Sequence, residues 1–534
     1  MRLLHVDDMV APYAAALLGS LSRIQERYRS ALRSRNMSTP GLDAQHAAQL
    51  AGASPDLPLK LQGKSVIIAG FVRLTRAEDR LFRYLWENGA RVCLHTDPAI
   101  LSGTGHWSCG EHREWLARWK ANGELLGERG GGDPVIRFHA GYDLHSQLLE
   151  LRKELEEHPH PEESRAVVIT HDSLLMHTLH HIPEKSINIS LGYPLERSLL
   201  SQLVERLMDT RRGMNAAGLV HWKSLMALIR HPYVRMLGVP PAEEGGEPVP
   251  LRPFLSRLDT RLRTGSRMVD AGSCTSDLVD DILGDLDGRA LPEELNEQTG
   301  SLLEKVMDVL VTRWRHVETL EDMAARLRDL CQLMLEYGAH IWPRFPLDAE
   351  CLARLMQGVI PELSDNAMAG EFLSMDSLFA IVHQNLAEQR VPFEADPLTG
   401  LQILGTLETR LLHFDRVYLL DMTEDALPGA PARDPLLPDN LRPLLGLPDN
   451  SRRDMLAAHT FHRLIAGAKE VILYWQEGVQ SGVLDGKKLR SRLVEEAIWR
   501  VEQKRKAQLR PGTEPLFSSA FPMAEPPVPL YAPI

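Results

Sequence analysis

The stretch LQILGTLETRLLHFDRVYLLDM, residues 401–422, holds a polar loop between two apolar runs. The loop contains Gly405, Thr406, Glu408 and Arg410. Short, uninterrupted apolar runs are typical of strands in a parallel sheet whose two faces are both covered. Because ligands of such sheets bind beside the carboxyl ends of the strands, this loop begins at a point where a ligand would bind.

A second apolar run, residues 166–169, is also followed by a polar side chain. Because the carboxyl ends of parallel strands converge on one edge, we expect one groove to be lined by Thr170, Gly405, Thr406, Glu408 and Arg410. A carboxylate that faced a phosphate group would repel it. We therefore expect Glu408 to hold the loop, by accepting backbone N–H bonds or by pairing with Arg410. Arg410 is then the predicted contact to a phosphate backbone.

The triplet Gly63, Lys64 and Ser65 does not complete a phosphate-binding loop of the Walker A type. That motif, G-x-x-x-x-G-K-[ST], lies between a strand and a helix, whose N–H groups hold the phosphate. Here the first glycine position is Pro58, and the triplet precedes a strand instead of following one. We predict a turn that enters the strand and no nucleotide-binding residues.

Three potential metal ligands, His106, Cys109 and His112, recur at three-residue spacing in GHWSCGEH. Such spacing can place ligands together on a helix. Gly105 and Gly110 favour a loop instead, and the sequence shows no obvious fourth ligand. We therefore predict no metal site.

Basic side chains cluster in RLDTRLRTGSR, in LRSRLVEEAIWRVEQKRK and at Arg452 and Arg453, which open a predicted helix beside the strands. Each cluster can contact phosphates, and each contact would add to the salt dependence of binding. The alternative for each cluster is a solvated helix face.

Strands and helices alternate at both ends of the chain, whereas helices dominate its middle. KSVIIAGF predicts a strand, TRAEDRLFRYLWENG a helix with a Thr75–Glu78 capping box, and RVCLHTD a second strand. Further strands are predicted in VIRFHA, RAVVITH, INISLG and EVILYW. Residues 36–62 are predicted to be a loop, and the proline-rich segment from 508 to be extended. The predicted fold class is α/β, with one parallel sheet completed by segments on both sides of a large helical insertion.

The composition excludes several classes of protein. The 534 residues are 44% hydrophobic and 25% charged, with a net charge of −12, which argues against a generally basic nucleic-acid coat. The five cysteines are scattered without a CxxC pair, so a disulfide framework is not expected and a reducing cytoplasm fits. No apolar run is long enough to span a membrane.

The order of these segments resembles superfamily 1 helicases of the UvrD/Rep type. It resembles more narrowly the B subunit (AddB) of AddAB-type helicase–nucleases and the related PD-(D/E)XK nuclease-family proteins. The similar segments are IIAGFVRLTRAEDRLFRYL, RAVVITHDSLLMHTLHHIP, INISLGYPLERSLL, LMALIRHPYVRML, LQILGTLETRLLHFDRVYLLDMTEDALPGAPARDPLLPDNLRPLLGLP and RSRLVEEAIW. They appear in family order. The fifth is the most specific, with its G-x-L-E-x-R core and an acidic-then-proline turn after the next strand.

The resemblance implies RecA-like lobes, one partial and one complete. Residues 1–119 would be a remnant of the first lobe, and residues 135–200 with 398–478 the second, discontinuous lobe. Residues 201–397 would be the helical insertion domain. Residues 479–534 would be a helix and a proline-rich linker towards a nuclease domain. The P-loop part and the nuclease domain of the family are expected to be absent from this chain.

The resemblance also implies an inactive motor. An acidic pair of the family would stand at Ala69 and Gly70, and an arginine that contacts the γ-phosphate would stand at Ala466, one helical turn after Arg463. Without the carboxylate, Mg²⁺ coordination through this strand fails. Such an arginine contributes about 10³ to 10⁵ in rate. We expect no ATP hydrolysis, no catalytic residues and no cofactor.

The function implied is a helicase-like, ATPase-inactive DNA-binding scaffold of a double-strand-break repair helicase–nuclease. It would act in the cytoplasm, where it would bind single-stranded or end DNA and associate with a partner helicase–nuclease subunit. The DNA-binding candidates are Thr170, Gly405, Thr406, Arg410, Arg452 and Arg453. The alternative is a protein-interaction fragment that docks to a partner helicase subunit without binding DNA itself.

Overall fold

A computed structural model describes residues 12–53, 60–126, 133–159, 162–184, 186–240, 246, 248–272, 293–393, 400–431, 434, 437–477 and 488–519. Within these ranges, the side chains of residues 12–18, 293–296 and 445 are outside the description. The chain divides into two compact units. The sheet unit comprises Met1–Ser190 and Ala395–Ile534, and the helical unit comprises Leu191–Glu394, so the helical unit is an insertion.

The described strands, in chain order, are β1 Ile67–Ala69, β2 Arg91–Cys93, β3 Val135–Gly141, β4 Arg165–Ile169, β5 Ile187–Ile189, β6 Tyr193–Pro194, β7 Val220–His221, β8 Gly238–Val239, β9 Val249–Pro250, β10 Met268–Val269, β11 Arg390–Val391, β12 Leu401–Gly405, β13 Arg416–Leu420, β14 Glu470–Gln476 and β15 Leu516–Ser518. A seven-stranded sheet has the order β15-β3-β14-β13-β4-β12-β5. Every pairing in it is parallel, which confirms the predicted α/β class.

The sheet is completed by segments from both sides of the helical unit. β12, which follows the insertion, pairs with β4, which precedes it, and Gly405 lies opposite Ile169. β13 pairs with the other side of β4. The prediction that distant segments share one sheet is confirmed.

Both faces of this sheet are covered. One face packs against helices Asn450–Ala466 and Arg492–Arg505. On the other face, Nη1 of Arg137 in β3 donates to Oε2 of Glu154 in helix Leu144–Glu157 at 3.0 Å. Burial on both faces explains why the central strands β4, β12 and β13 are largely apolar, and it leaves the loops at the strand ends for a ligand.

β1 and β2 form a separate two-stranded parallel sheet connected by helix Arg76–Glu87. The helix begins at the predicted capping box. Oγ1 of Thr75 accepts the N–H of Glu78 at 3.2 Å, and Oε2 of Glu78 accepts the N–H of Thr75 at 2.7 Å. The predicted strand–helix–strand unit is confirmed here.

Helix Pro40–Ala53 lies where the sequence predicted a loop. Proline suits the first turn of a helix, and Oγ1 of Thr39 accepts the N–H of Leu42 at 3.3 Å. Alanine has the highest helix propensity, and it fills much of this segment. The prediction of a loop was therefore wrong for residues 40–53.

β15 lies in the segment that was predicted to be an extended linker. It pairs with β3, and the N–H of Phe138 donates to the carbonyl of Pro515 at 2.8 Å. The segment that follows helix Arg492–Arg505 therefore supplies an edge strand of the sheet.

The remaining described α-helices of the sheet unit are Pro12–Ser34, Gly110–Trp119 and Leu175–His181. The described α-helices of the helical unit are Leu199–Arg212, Trp222–Ile229, Pro232–Met236, Arg252–Thr264, Glu293–Leu310, Leu320–Tyr337, Pro346–Arg354, Ile360–Ser364 and Met375–Glu388. Trp314, Leu327 and Phe379 lie in the core of the helical unit. None of the described helices combines the length and apolar content required to cross a bilayer.

Candidate nucleic-acid interface

The strand register places three strand ends side by side at the carboxyl edge of the sheet. The last residues of β12, β4 and β13 are register partners. Thr406, Thr170 and Asp421, which follow those strands, therefore begin three neighbouring loops. The register thus brings together Thr170, Gly405 and Thr406, as the sequence predicted. Oγ1 of Thr170 is buried and has no hydrogen-bond partner among the described residues.

Asp421 organises the polar contacts at this edge, although it was not among the predicted residues. Its Oδ1 accepts a hydrogen bond from Nε2 of Gln476 at 2.7 Å. Its Oδ2 lies 3.1 Å from Nε2 of His171 and 3.5 Å from Nζ of Lys488. Burial alone would raise the pKa of this carboxyl, but the hydrogen bond to His171 and the charge of Lys488 bring the pKa below its ordinary value. Asp421 is therefore a fixed negative charge.

The backbone of Asp421 has a φ of 52°, in the left-handed region that few residues other than glycine adopt. Two hydrogen bonds hold it there. The N–H of Asp421 donates to Oε1 of Gln147 at 3.0 Å, and the N–H of Met422 donates to the carbonyl of Tyr474 at 2.8 Å. The sequence signal was available, because Asp421 is the first polar residue after a strand that is buried along its length.

His171 connects Asp421 to a serine. Its second ring nitrogen, Nδ1, hydrogen-bonds to Oγ of Ser173. Serine, histidine and aspartate are the residue types of a nucleophilic triad. Here the carboxylate is shared with Gln476 and Lys488, and Ser173 reaches its histidine from only two residues along the chain. We interpret the three residues as a relay that orients the half-exposed imidazole of His171.

Thr409 holds the loop that follows β12. Its side chain is buried, and Oγ1 donates to the carbonyl of Thr406 at 2.7 Å. Glu408 is exposed and makes no hydrogen bond or ion pair with any described residue, so its predicted role in the loop was wrong. A threonine hydroxyl is short enough to bond the backbone within one turn, whereas an exposed carboxylate keeps its hydration.

Arg410 lies in a cleft between this loop, the end of β1 and helix Asn450–Ala466. The cleft is shallow, and its cavity volume of about 20 Å³ is roughly the space of one water molecule. It is lined by Gly70, Phe71, Val72, His95, Thr409, Arg410, Leu411, Leu412, His459, Thr460, Arg463 and Leu464. These lining residues include no carboxylate. Arg410 is exposed, and its guanidinium makes no hydrogen bond or ion pair with any described residue. It is therefore available to an anion.

Arg463 brings a second guanidinium to the cleft. Its Nη1 donates to the carbonyl of Thr96 at 3.0 Å, whereas its Nε is buried without a partner among the described groups. The resemblance placed a missing arginine at Ala466, which is exposed on the same helix. Arg463, one turn earlier, is the residue that reaches the cleft.

The histidines in and behind the cleft are neutral at pH 7. Burial, together with nearby positive charge that includes Arg463, lowers the pKa of His459 to about 3 and that of His112 to about 4. Burial and Arg463 also lower the pKa of His95. The positive charge of the cleft therefore comes from its two arginines, Arg410 and Arg463.

Arg452 and Arg453, two predicted DNA contacts, are engaged within the protein. Arg452 donates to Oε1 of Glu111 at 2.9 Å and to Oε2 of Glu114 at 3.1 Å. Nη2 of Arg453 donates to the carbonyls of Gly429 at 2.9 Å and Ala430 at 2.7 Å. The sequence could not show these contacts, because the partners lie far away in the chain. Both side chains therefore have partners within the protein, and their contact to DNA stays a prediction.

The Gly63 triplet and the histidine–cysteine motif remain outside the interface. Gly63 has a φ of 72°, and the N–H of Lys64 donates to the carbonyl of Leu61 at 3.2 Å, so the predicted turn is confirmed. The side chains of His106 and His112 have different partners. Nε2 of His112 lies 3.2 Å from the carbonyl of Phe71, and His106 faces another helix.

No known protein-family model matches this chain, and no curated protein matches it.

Proposed function

We propose that this chain is a helicase-like DNA-binding scaffold without ATPase activity, similar in role to the B subunit of an AddAB-type helicase–nuclease. In this proposal it acts in the cytoplasm on single-stranded or end DNA, together with a partner helicase–nuclease subunit. The observation that carries the proposal is the cleft, in which an exposed Arg410, without an ion-pair partner among the described residues, lines the same cleft as Arg463 and no lining residue carries a carboxylate.

The cleft and the carboxyl edge differ in what they offer to a nucleic acid. Arg410 supplies a full positive charge to a phosphate, and the hydroxyl of Thr406 supplies a neutral donor at a neighbouring strand end, whereas the hydroxyl of Thr170 is buried. Most contacts that position a protein on nucleic acid are of these two kinds. The negative charge of Asp421 is compensated by Lys488 and by a hydrogen bond to His171, so it repels a nearby phosphate less than a free carboxylate would.

The absence of ATPase activity is supported by the residues after β1. A working motor holds Mg²⁺ with a carboxylate and cradles the phosphates in a glycine-rich loop. Here β1 ends at Ala69, and Gly70 and Phe71 continue into the cleft. The arginines that remain can hold a phosphate, but they do not supply the metal ligand that hydrolysis needs.

The test is equilibrium binding of a fluorescently labelled oligothymidylate to the full chain, followed by anisotropy over a range of salt concentrations. The proposal expects binding that weakens steeply with salt, because phosphate contacts release counterions. Binding should be unchanged by ATP and Mg²⁺. No binding at low salt would contradict the proposal.

The alternative function, docking to a partner subunit without DNA contact, has one observation in its favour. Leu407, Leu411 and Leu412, in the same loop as Arg410, are 54%, 50% and 44% exposed. Adjacent exposed leucines are typical of a surface that another protein covers. A chain that fails to bind oligothymidylate but co-purifies with a helicase subunit, and loses it on Leu411→Ser, would favour this second function.

A further inference from the structure

Three side chains from separate segments of the sheet unit converge away from the cleft. They are His106, His462 in helix Asn450–Ala466, and Glu496 in helix Arg492–Arg505. One ligand atom of each lies within 4.8 Å of the other two. Nε2 of His106 lies 2.7 Å from Oε1 of Glu496, and Nε2 of His462 lies 3.4 Å from Oε2 of Glu496.

The imidazole of His462 is the least satisfied member of this cluster. Its side chain is 8% exposed, and its Nε2 has no hydrogen-bond partner among the described groups. The contact to Oε2 of Glu496 is close, but it lacks the geometry of a hydrogen bond. A lone pair on a buried nitrogen that faces a carboxylate oxygen requires a proton or a cation between them.

We propose that His106, His462 and Glu496 bind one divalent transition-metal ion of the Zn²⁺ class, with solvent completing its coordination. Two imidazole nitrogens and one carboxylate oxygen are a donor set that proteins use for Zn²⁺. Metal–ligand distances of about 2.0–2.2 Å place the ligand atoms of a tetrahedral site about 3.3 Å apart. Nε2 of His462 lies at about that spacing from Oε2 of Glu496, whereas Nε2 of His106 lies 2.7 Å from the other oxygen, Oε1, so the imidazole of His106 must move for all three to bind one ion.

Neighbouring groups are arranged to orient these ligands. Nδ1 of His106 lies 2.8 Å from Oγ of Ser108, so an N–H at Nδ1 can donate to the serine and leave Nε2 free for a metal. Such second hydrogen bonds are a regular feature of metal-binding histidines. The same Nδ1 is also placed to accept the N–H of Ser108 at 3.3 Å in the other tautomer, so a metal at Nε2 would select the tautomer that carries its proton on Nδ1.

Arg500 competes with a metal for the carboxylate. Its Nη2 donates to Oε1 of Glu496 at 2.6 Å, which leaves Oε2, the oxygen nearer His462, for the ion. The carboxylate of Glu496 therefore already faces a cationic group, Arg500, and a hydrogen-bonding imidazole, His106.

The proposed ion would join three segments that the chain brings together only by folding. It would fasten the residues around His106, which follow β2, to two helices that cover the seven-stranded sheet. A metal with this role stabilises the folded sheet unit, because the unfolded chain does not hold the three ligands together. This role is independent of DNA binding.

The test uses the full chain without a histidine tag, stripped of metal by a chelator and titrated with Co²⁺ and then Zn²⁺. We expect one ion per chain, a visible Co²⁺ absorption band that Zn²⁺ abolishes, and a Tm that rises on addition of Zn²⁺. Glu496→Gln keeps the size of the side chain but removes its charge, and His462→Ala removes a ligand. Each should weaken Zn²⁺ binding by at least about tenfold, the lower end of the loss seen when groups around a metal are removed.

Two further variants separate loss of a metal ligand from general destabilisation and from loss of the competing cation. His459→Ala, on the same helix as His462, removes a buried histidine that is not a ligand, so it should lower Tm without weakening Zn²⁺ binding. Arg500→Met removes the competing cation and should tighten binding. The proposal is overturned if wild type shows no Co²⁺ band, or if Glu496→Gln binds Zn²⁺ as tightly as wild type does.

Discussion

Nε2 of His171 lies 3.1 Å from Oδ2 of Asp421, although 250 residues separate them in the chain. The first follows β4 and the second follows β13, and those strands are direct neighbours in the sheet. The helical unit is inserted between them in sequence. The pair therefore exists only because the sheet is closed by segments from both sides of the insertion.

Asp421→Asn should lower the free energy of unfolding by about 3 kcal/mol, because it leaves Lys488 and His171 without their buried charged partner. Asparagine tolerates the left-handed backbone of this position, so the variant isolates the effect of the charge. Urea denaturation at pH 7 measures the change. Asp425→Asn is the control, because Asp425 also pairs with Lys488 but its side chain is 57% exposed.

The difference in free energy of unfolding between wild type and Asp421→Asn should depend on pH. The folded-state pKa of Asp421 lies below the unfolded value of 3.8, so its contribution is present above pH 3.8 and is lost as pH falls through the folded pKa. Equal stability of wild type and variant at pH 7 would show that the carboxylate does not organise this edge.

His139→Phe should make the protein less sensitive to acid. His139 stacks between Tyr474 and Phe517, with ring centroids 5.1 Å and 4.9 Å away, and burial together with the charge of Arg137 lowers its pKa to about 4. The unfolded chain therefore binds a proton at a higher pH than the folded chain, and stability is lost as pH falls below 6.5.

Between pH 7 and pH 5, protonation of His139 should lower the free energy of unfolding of wild type by about 2 kcal/mol. The phenylalanine variant should not lose this amount. Urea denaturation at both pH values measures the loss. His46→Phe, at an exposed histidine, should lose as much as wild type. If His139→Phe and wild type lose the same free energy of unfolding, His139 takes up its proton in the folded protein as readily as in the unfolded chain.

Gly70→Ala should destabilise the cleft more than a matched glycine substitution elsewhere. Gly70 has a φ of 80°, and an added Cβ would lie 2.7 Å from Cδ1 of Leu411. Gly63 has a φ of 72° with nothing within 4 Å of its Cβ position. Both alanines should cost about 1–2 kcal/mol for the left-handed backbone.

Gly70→Ala should cost roughly 1 kcal/mol more than Gly63→Ala, the scale of a modest steric rearrangement. The side chain of Leu411 must move, and it adjoins Arg410. Thermal or urea unfolding of both variants measures the difference. Equal destabilisation of the two variants would show that the end of β1 does not pack against this loop.

The chain should release no phosphate from ATP, with or without single-stranded DNA. The reason is the sequence at the end of β1, which offers Ala69 and Gly70 where the resemblance implies a metal-binding carboxylate. A coupled assay measures the release of phosphate from ATP, with Lys64→Ala as the control for the glycine–lysine–serine triplet. DNA-stimulated turnover that Lys64→Ala abolishes would contradict the prediction.

Patterns local in sequence were sufficient for the fold class and for much of the carboxyl edge. Alternating strands and helices predicted the α/β class, and strand ends predicted that Thr170 would lie near Gly405 and Thr406. Contacts between segments that are distant in the chain could not be predicted from the sequence. Nothing near Arg452 in the chain reveals Glu111 and Glu114 as its partners, and nothing in GHWSCGEH reveals that His106 meets Glu496. Short side chains were also undervalued, since Thr409 rather than Glu408 holds the loop after β12.

The proposal that this chain binds DNA through the cleft depends on Arg410. The salt dependence of oligothymidylate affinity, measured for wild type, Arg410→Ala and Arg452→Ala, tests it most directly. Each lost phosphate contact on single strands should reduce the slope of log K against log salt by about 0.7. We predict that reduction, with weaker binding, for Arg410→Ala. Arg452→Ala should keep the wild-type slope, because Arg452 is already paired with Glu111 and Glu114. Unchanged affinity and slope in Arg410→Ala would contradict the account.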